Sequence, residues 1–281
     1  MTIQWRAILP LFLGAAIWSL PVPAGLTSNA WAYFALCIAV IAALIAEPIP
    51  GPVAGLLGIT AAAALNLVAA NPDDSIRWAL SGFSNPTVWL IFVAFMFGLG
   101  YEKTGLGQRI ALNLVRLLGR RTIGLGYAIA CADLILAPFM PSNTARSGGT
   151  IFPIIRSIPP LYGSSPGASA HGIGGYVMWT AFATQAITSS MFLTGNAANL
   201  FAVSVMKETA QINLSWTDWA IGFLPVGLLL FIVLPLLVFI VYRPEVKASE
   251  EVPRWACQEL AKMGTIARRE VSMAAIAIAA L

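Results

Sequence analysis

Charge is what this sequence has least of. Asp, Glu, Lys and Arg make up 10% of its 281 residues, where an ordinary soluble domain carries about 25%. With 58% of residues hydrophobic and a mean hydropathy of +0.81, too little polar side chain is left to cover a water-soluble surface. The same apolar excess excludes disorder. Cysteine is scarce as well. Cys37, Cys131 and Cys257 lie far apart, with neither disulfide-framework nor metal-knuckle spacing. Histidine occurs once, as His171, in a glycine-rich loop that reads as surface. No Walker loop, GxSxG, HExxH or CxxC is found, so nothing supports catalytic chemistry. A net charge of +4 does not indicate a nucleic-acid partner here, because the basic residues sit in loops between apolar runs.

What is present is a series of apolar runs, and they predict an all-α polytopic membrane protein with about six transmembrane helices in the lipid bilayer. The runs are Ala7–Leu26, Trp31–Ala46, Val53–Ala70, Pro86–Tyr101, Gly172–Leu193 and Trp219–Tyr242. Three prolines between Glu47 and Pro52 stop one helix, and Glu47 reads as interfacial. Residues 1–104 therefore read as scaffold spans, 172–206 as a broken helix, and 207–242 as the last full span. Residues 243–281 read as a cytoplasmic connector and the start of a further span, since Val271–Leu281 is about half a crossing.

Residues 105–121 differ in kind. Arg109, Asn113, Arg116 and Arg120 fall on one helical face, with Ile110, Leu114 and Leu117 on another. That pattern predicts an amphipathic helix lying at the membrane surface, a soluble connector helix being the alternative. Residues 122–158 then hold two short apolar pieces, Ile123–Ala137 and Ile151–Ile158, around the polar stretch Ser142–Thr150. This reads as a re-entrant hairpin, whose irregular tip is tolerated at membrane depth only where it is buried in protein or lines a wet cavity.

Orientation follows from the basic residues. With a cytoplasmic N-terminus, thirteen of the sixteen Lys and Arg fall inside, Arg77 and Lys207 outside, and Arg146 at the hairpin tip. A multi-pass cell inner-membrane protein is the expectation.

Two polar interruptions carry the functional signal. The hairpin tip offers the hydroxyls of Ser142 and Thr144, the amide of Asn143, and the permanent cation Arg146. An intramembrane Arg marks function by default. Arg146 has two readings that are compatible: an anion-facing role, and a structural pair with Asp133 across the hairpin. The second interruption, Thr194–Asn199, places a glycine and two asparagines inside an apolar helix. It is either a plain kink or a broken helix whose ends and carbonyls face a ligand. Ser189 and Ser190 precede it and are placed to bond back within the helix.

The string Met140-Pro-Ser-Asn-Thr-Ala-Arg-Ser-Gly-Gly-Thr150, followed by Phe152-Pro-Ile-Ile155, resembles the Ser-Asn-Thr region of the divalent anion:sodium symporter family. The resemblance is strongest to its dicarboxylate-exchanger branch, which holds 2-oxoglutarate/malate translocators and citrate/succinate or tartrate/succinate antiporters. Lys103–Ile110 and Pro21–Gly25 also resemble that branch. The resemblance implies an elevator-type secondary carrier of di- or tricarboxylates, homodimeric when complete, built from two inverted repeats. It implies that Ser142, Asn143 and Thr144, with Arg146 beside them, contact a substrate carboxylate. It further implies that Ser142, Asn143, Gly195, Asn196 and Asn199 frame a cation site in sodium-coupled members. No cofactor other than a sodium ion is implied.

Two departures shape the expectation. Sodium-coupled members carry a hydroxyl four residues before the motif serine, where this chain has Pro138. That favours antiport over sodium-coupled symport. Ser-Asn-Thr also occurs once, so the chain reads as the N-terminal repeat, and a non-transporting membrane fragment is the third reading.

Overall fold

The computed structural model describes residues 3–167 and 169–279. Thirteen α-helices run through them, in two compact units, residues 1–88 and 89–281.

The first unit holds α1 (Ile3–Ser19), α2 (Ser28–Ala46), α3 (Gly51–Ala64) and α4 (Pro72–Leu80). Small residues let these helices approach closely. A Cβ on Gly14 would meet the Ala39 Cβ at 2.9 Å, and one on Gly58 would meet the Val40 Cγ2 at 2.5 Å. Thr27 caps α2 by accepting from the Ala30 N–H, and Trp31 Nε1 donates to the Ile17 carbonyl at 3.0 Å, joining α2 to α1. Glu47 ends α2 in the left-handed region (φ +49°), which turns the chain out of the helix before the prolines.

The second unit begins within α5 (Pro86–Thr104) and continues with α6 (Leu106–Leu118), α7 (Thr122–Leu136), α8 (Phe152–Ile155) and α9 (Gly174–Met191). It is completed by α10 (Ala197–Ala210), α11 (Trp216–Tyr242), α12 (Glu251–Met263) and α13 (Arg268–Ala279). Its core gathers Leu112 and Val115 of α6, Leu125, Ile129 and Leu136 of α7, Ile154 of α8, and Tyr176 and Val177 of α9. α7 is the central element, buried along its length against α6, α9 and α11.

Three stretches are, among the described residues, long and apolar enough to cross a bilayer alone: α2, α7 with its one-turn extension (Thr122–Phe139), and α11. Two further apolar helices, Trp5–Ser19 and Gly51–Ala64, are shorter. The architecture is that of an all-helical polytopic membrane protein.

The structure shows what one side of α6 packs against. Its Ala111, Leu112 and Val115 are buried, with α12 packed on it and the connector after α11 strapped over its end. Ser249 N–H donates to the Arg120 carbonyl at 2.9 Å and Thr122 N–H to the Lys247 carbonyl at 3.0 Å. Arg109 does not point away with the rest of the basic face. Its Nε meets Glu270 Oε1 at 2.8 Å and its Nη1 the Gly264 carbonyl at 3.1 Å. The other Glu270 oxygen accepts from the Ala267 N–H, which starts α13 as half of a capping box. Arg109 holds the Glu270 carboxyl below the usual range. α13 starts ahead of the apolar stretch at Val271, whose last two residues, 280–281, lie outside the described residues.

Candidate functional site

The hairpin tip is built from backbone chemistry that its sequence dictates. α7 runs into a single 3₁₀ turn at Ala137–Phe139, because Pro138 and Pro141 remove N–H donors and block a regular helix. The chain then re-enters helix as an eight-residue π-helix, Thr144–Ile151, and passes directly into α8. The π winding is the structural meaning of the polar, glycine-containing stretch. It widens the turn by one residue, a device that concentrates at functional sites. Gly148 and Gly149 sit at its exposed surface.

Beneath the tip lies Arg146, wholly buried. Its Nε donates to Asp133 Oδ1 at 3.1 Å, its Nη1 to the carbonyls of Met140 (2.8 Å) and Gly195 (3.0 Å), and its Nη2 to Asn143 Oδ1 (3.1 Å). A buried guanidinium needs this, since an unpaired charge inside a low-dielectric interior costs several kcal/mol, on the order of 3–5. Asp133, 2% exposed, is equally engaged. Ser147 Oγ donates to Oδ1 at 2.8 Å and Thr188 Oγ1 donates to Oδ2. Arg146 and Ser147 thus fold the returning chain back along α7.

The broken helix is held against the tip. α9 ends at Met191, and α10 begins after a turn at Leu193–Gly195. Asn196 caps α10 by accepting from the Ala198 N–H at 3.1 Å, and Asn199 Nδ2 donates to the Ser189 and Phe192 carbonyls at 2.8 and 3.1 Å. Thr194 Oγ1 donates to the Pro138 carbonyl at 2.6 Å, and the Ala197 N–H to the Pro141 carbonyl at 2.9 Å. Gly195 is required by contact. A Cβ there would meet the Ser189 carbonyl oxygen at 2.9 Å and that of Thr188 at 3.3 Å. Ser189 and Ser190 both bond back to the Ala186 carbonyl.

A cavity of about 410 Å³ opens beside the tip. Asn143, Thr144, Ser147 and Gly148 form one wall, and Met178, Phe182 and Gln185 of α9 face them. The structure therefore brings Asn143 and Thr144 to one open space. Ser142 is not on its wall. Its Oγ accepts from the Ala145 N–H at 3.3 Å and caps the turn. Arg146 sits behind the wall rather than on it. Among the residues of the expected cation frame, Gly195 and Asn143 share Arg146 as donor, while Asn196 and Asn199 shape the break. A second cavity, about 320 Å³, lies between Leu90, Phe97, Phe139, Thr194 and Trp216, and is largely apolar.

Reading the sequence alone missed Ser147, Thr188 and Gln185. Ser147 lay inside the polar tip but carried no separate signal. Thr188 and Gln185 sit on a helix that looked merely apolar, and only the four-residue spacing of its threonines marked a face.

With this geometry in view, the comparisons with known proteins are specific. The family model described as the sodium:sulfate symporter transmembrane region matches residues 1–281. L-tartrate/succinate antiporters of Escherichia coli (strain K12) and of Shigella flexneri are 47% identical to this chain over 290 residues. The alignment covers 99% of this chain and 60% of each antiporter, so the chain spans about three-fifths of their length.

Proposed function

Because the chain belongs to the sodium:sulfate symporter transmembrane-region family, we propose that it forms the hairpin half of the substrate site of a secondary dicarboxylate carrier, working by exchange. The observation that carries this reading is the tip itself. A cavity wall of Asn143 and Thr144 stands over a wholly buried cation. Asn143 Nδ2 and the Thr144 hydroxyl, on the cavity wall, supply donors for one carboxylate. Arg146 supplies a positive field from behind without surrendering its own bonds. In this role it is a positioning residue, since it holds Asn143 Oδ1 and so aims the amide nitrogen outward. Ser142 acts one step further back, as the cap of the turn.

Exchange is favoured over sodium coupling by the same bonds. The Gly195 carbonyl and Asn143 Oδ1, two oxygens of the expected cation frame, accept from Arg146. Pro138 has no side-chain oxygen, and its carbonyl accepts from Thr194. The N-terminus faces the cytoplasm in this reading, with hairpin and broken helix moving together in an elevator-type alternation of access. The relatives' printed names supply the substrates to test first, tartrate and succinate.

The test is uptake of labelled succinate into proteoliposomes, preloaded with dicarboxylate or empty, with and without sodium. Exchange predicts uptake into preloaded vesicles that is indifferent to sodium. Sodium-dependent uptake into empty vesicles refutes it, and so does the absence of both binding and transport.

A further inference from the structure

The end of the second unit away from the hairpin tip carries charge that the site described above does not use. Asp133, beside the tip, lies eleven residues along α7 from Thr122, about 16 Å. At the Thr122 end the chain turns from α6 into α7, and the connector after α11 lies over that corner. Thr122 donates through its N–H to the Lys247 carbonyl at 3.0 Å and through its hydroxyl to the Val246 carbonyl. Arg121 pairs with Ala248 in a single antiparallel bridge, and the Ser249 N–H donates to the Arg120 carbonyl at 2.9 Å. Residues 116–122 and 243–250 are thereby held side by side. They carry five basic residues, Arg116, Arg120, Arg121, Arg243 and Lys247, against two acids, Glu245 and Glu250. All five are exposed. Of the five, Arg120 alone meets an acid among the described residues, Glu250 at 2.6 Å.

This is also the level at which apolar spans stop. Thr122–Phe139 and Trp216–Tyr242 are both long and apolar enough to cross a bilayer, and here one begins and the other ends. Tyr242 sits against Trp179 with ring centroids 6.2 Å apart, as an aromatic pair does at the edge of the hydrocarbon layer. The cations thus stand at the headgroup depth of one leaflet. Beside them the last turn of α6 exposes Leu117 (68%) and Leu118 (41%), while Leu112 and Val115 on its other side are buried in protein. Bare leucines flanked by Arg116 and Arg120 suit a layer that is apolar on one side and charged on the other.

We propose that this corner is a docking surface for anionic phospholipid. Arg116, Arg121 and Lys247 meet the headgroup phosphates, and Leu117 and Leu118 lie against the start of the acyl chains. Charge complementarity selects that occupant. A zwitterionic headgroup brings its own cation and gains little here. An anionic one gains about fivefold in partition for each basic residue near it. The guanidinium groups add paired N–H donors that match phosphate oxygens. Arg120 is already engaged by Glu250 and ties the connector to the corner. The inference rests on the membrane-spanning architecture and not on the carrier reading.

The test places the full chain in vesicles of equal phosphatidylglycerol and phosphatidylcholine, extracts it in mild detergent, and counts the retained lipids by native mass spectrometry. The wild type should retain phosphatidylglycerol over phosphatidylcholine by at least about fivefold. In Arg116→Gln/Arg121→Gln/Lys247→Gln the ratio should fall to within about twofold of unity. Those three side chains make no hydrogen bond or ion pair among the described residues, so the variant should melt like the wild type in lipid-free detergent. The pair Arg77→Gln/Lys207→Gln removes charge elsewhere in the chain and should leave the ratio unchanged. High salt during extraction should shrink the wild-type ratio without any substitution. Equal retention of the two lipids by the wild type overturns the proposal. So does a triple variant that keeps the wild-type ratio, a control pair that loses it, or a ratio indifferent to salt. Displacement of the retained lipid by inorganic phosphate, but not by chloride at equal ionic strength, would assign the surface to a free anion and overturn the lipid reading.

Discussion

Replacing Arg146 by methionine removes a charge while keeping most of the side chain's volume, and the structure gives the cost. Asp133, 2% exposed, would be left as a buried carboxylate with only two hydroxyl donors, Ser147 and Thr188. Breaking a buried pair from one side costs about 3–5 kcal/mol. The Met140 and Gly195 carbonyls and Asn143 Oδ1 would also lose their donor. Asp133→Leu should cost a similar amount, because it strands Arg146. The double variant Asp133→Leu/Arg146→Met removes both charges. It should recover at least about 2 kcal/mol relative to the sum of the singles, since apolar replacement of a whole buried pair is often near neutral. At roughly 2–4 °C per kcal/mol for a chain of this size, each single variant should melt about 6–20 °C lower. The assay is tryptophan-fluorescence unfolding in detergent for all four proteins, with membrane insertion checked by fractionation. An Arg146→Met variant that melts within about 2 °C of wild type would refute the pairing energetics. Additive single costs would do the same. Succinate uptake adds a second axis: the double variant should regain stability and not transport.

Other perturbations test separate parts. Arg109 holds the Glu270 carboxyl below its usual range. Its stabilising contribution is therefore present at neutral pH and is lost as pH falls through the depressed value. Melting against pH should show wild type falling below about pH 4.3 while Glu270→Gln, lower at neutrality, stays flatter; parallel curves would contradict the pairing. Gly195→Ala should lose about 1–3 kcal/mol by overpacking, because its Cβ meets backbone oxygens that cannot swing away. Gly55→Ala, with open space around it, should not lose stability in the same melt. Thr144→Val and Gln185→Leu, on the cavity wall, should each weaken succinate binding about 2- to 12-fold at unchanged melting temperature, the loss of one hydrogen bond of roughly 0.5–1.5 kcal/mol. Calorimetric binding equal to wild type would move the ligand elsewhere.

Much of this was legible in the residue string, and for definite reasons. The membrane class follows from the lack of charge, and the Pro138 and Pro141 stops fix where α7 gives out. Arg146 stood out because a cation in an apolar setting must be partnered, and Asp133 was the acid at matching distance across the tip. The π winding was not legible, since propensity describes α-helix or turn and the extra residue per turn is chosen by packing. Nor was the split within the motif. Ser142, Asn143 and Thr144 are adjacent, yet one caps the turn while the other two line the cavity, because successive residues of a helical turn point about 100° apart. The buried side of α6 was missed for a third reason. Its partner α12 lies more than a hundred residues later, and no local pattern announces it.

The cross-links between tip and break also bear on how such a site could move. Three bonds join them directly: Arg146 to the Gly195 carbonyl, Thr194 to the Pro138 carbonyl, and the Ala197 N–H to the Pro141 carbonyl; Asp133, which accepts from both Arg146 and Thr188, ties the hairpin to α9 as well. Separating the hairpin from the broken helix would break each of these bonds. Moving hairpin and break as one body breaks none of these bonds. Under the carrier reading proposed above, joint displacement of tip, break and the Asp133–Arg146 pair is therefore the expected motion. A cross-link joining Thr194 to Phe139 should leave transport intact, whereas loss of transport on joining two residues already held this closely would show that the tip and the break part after all.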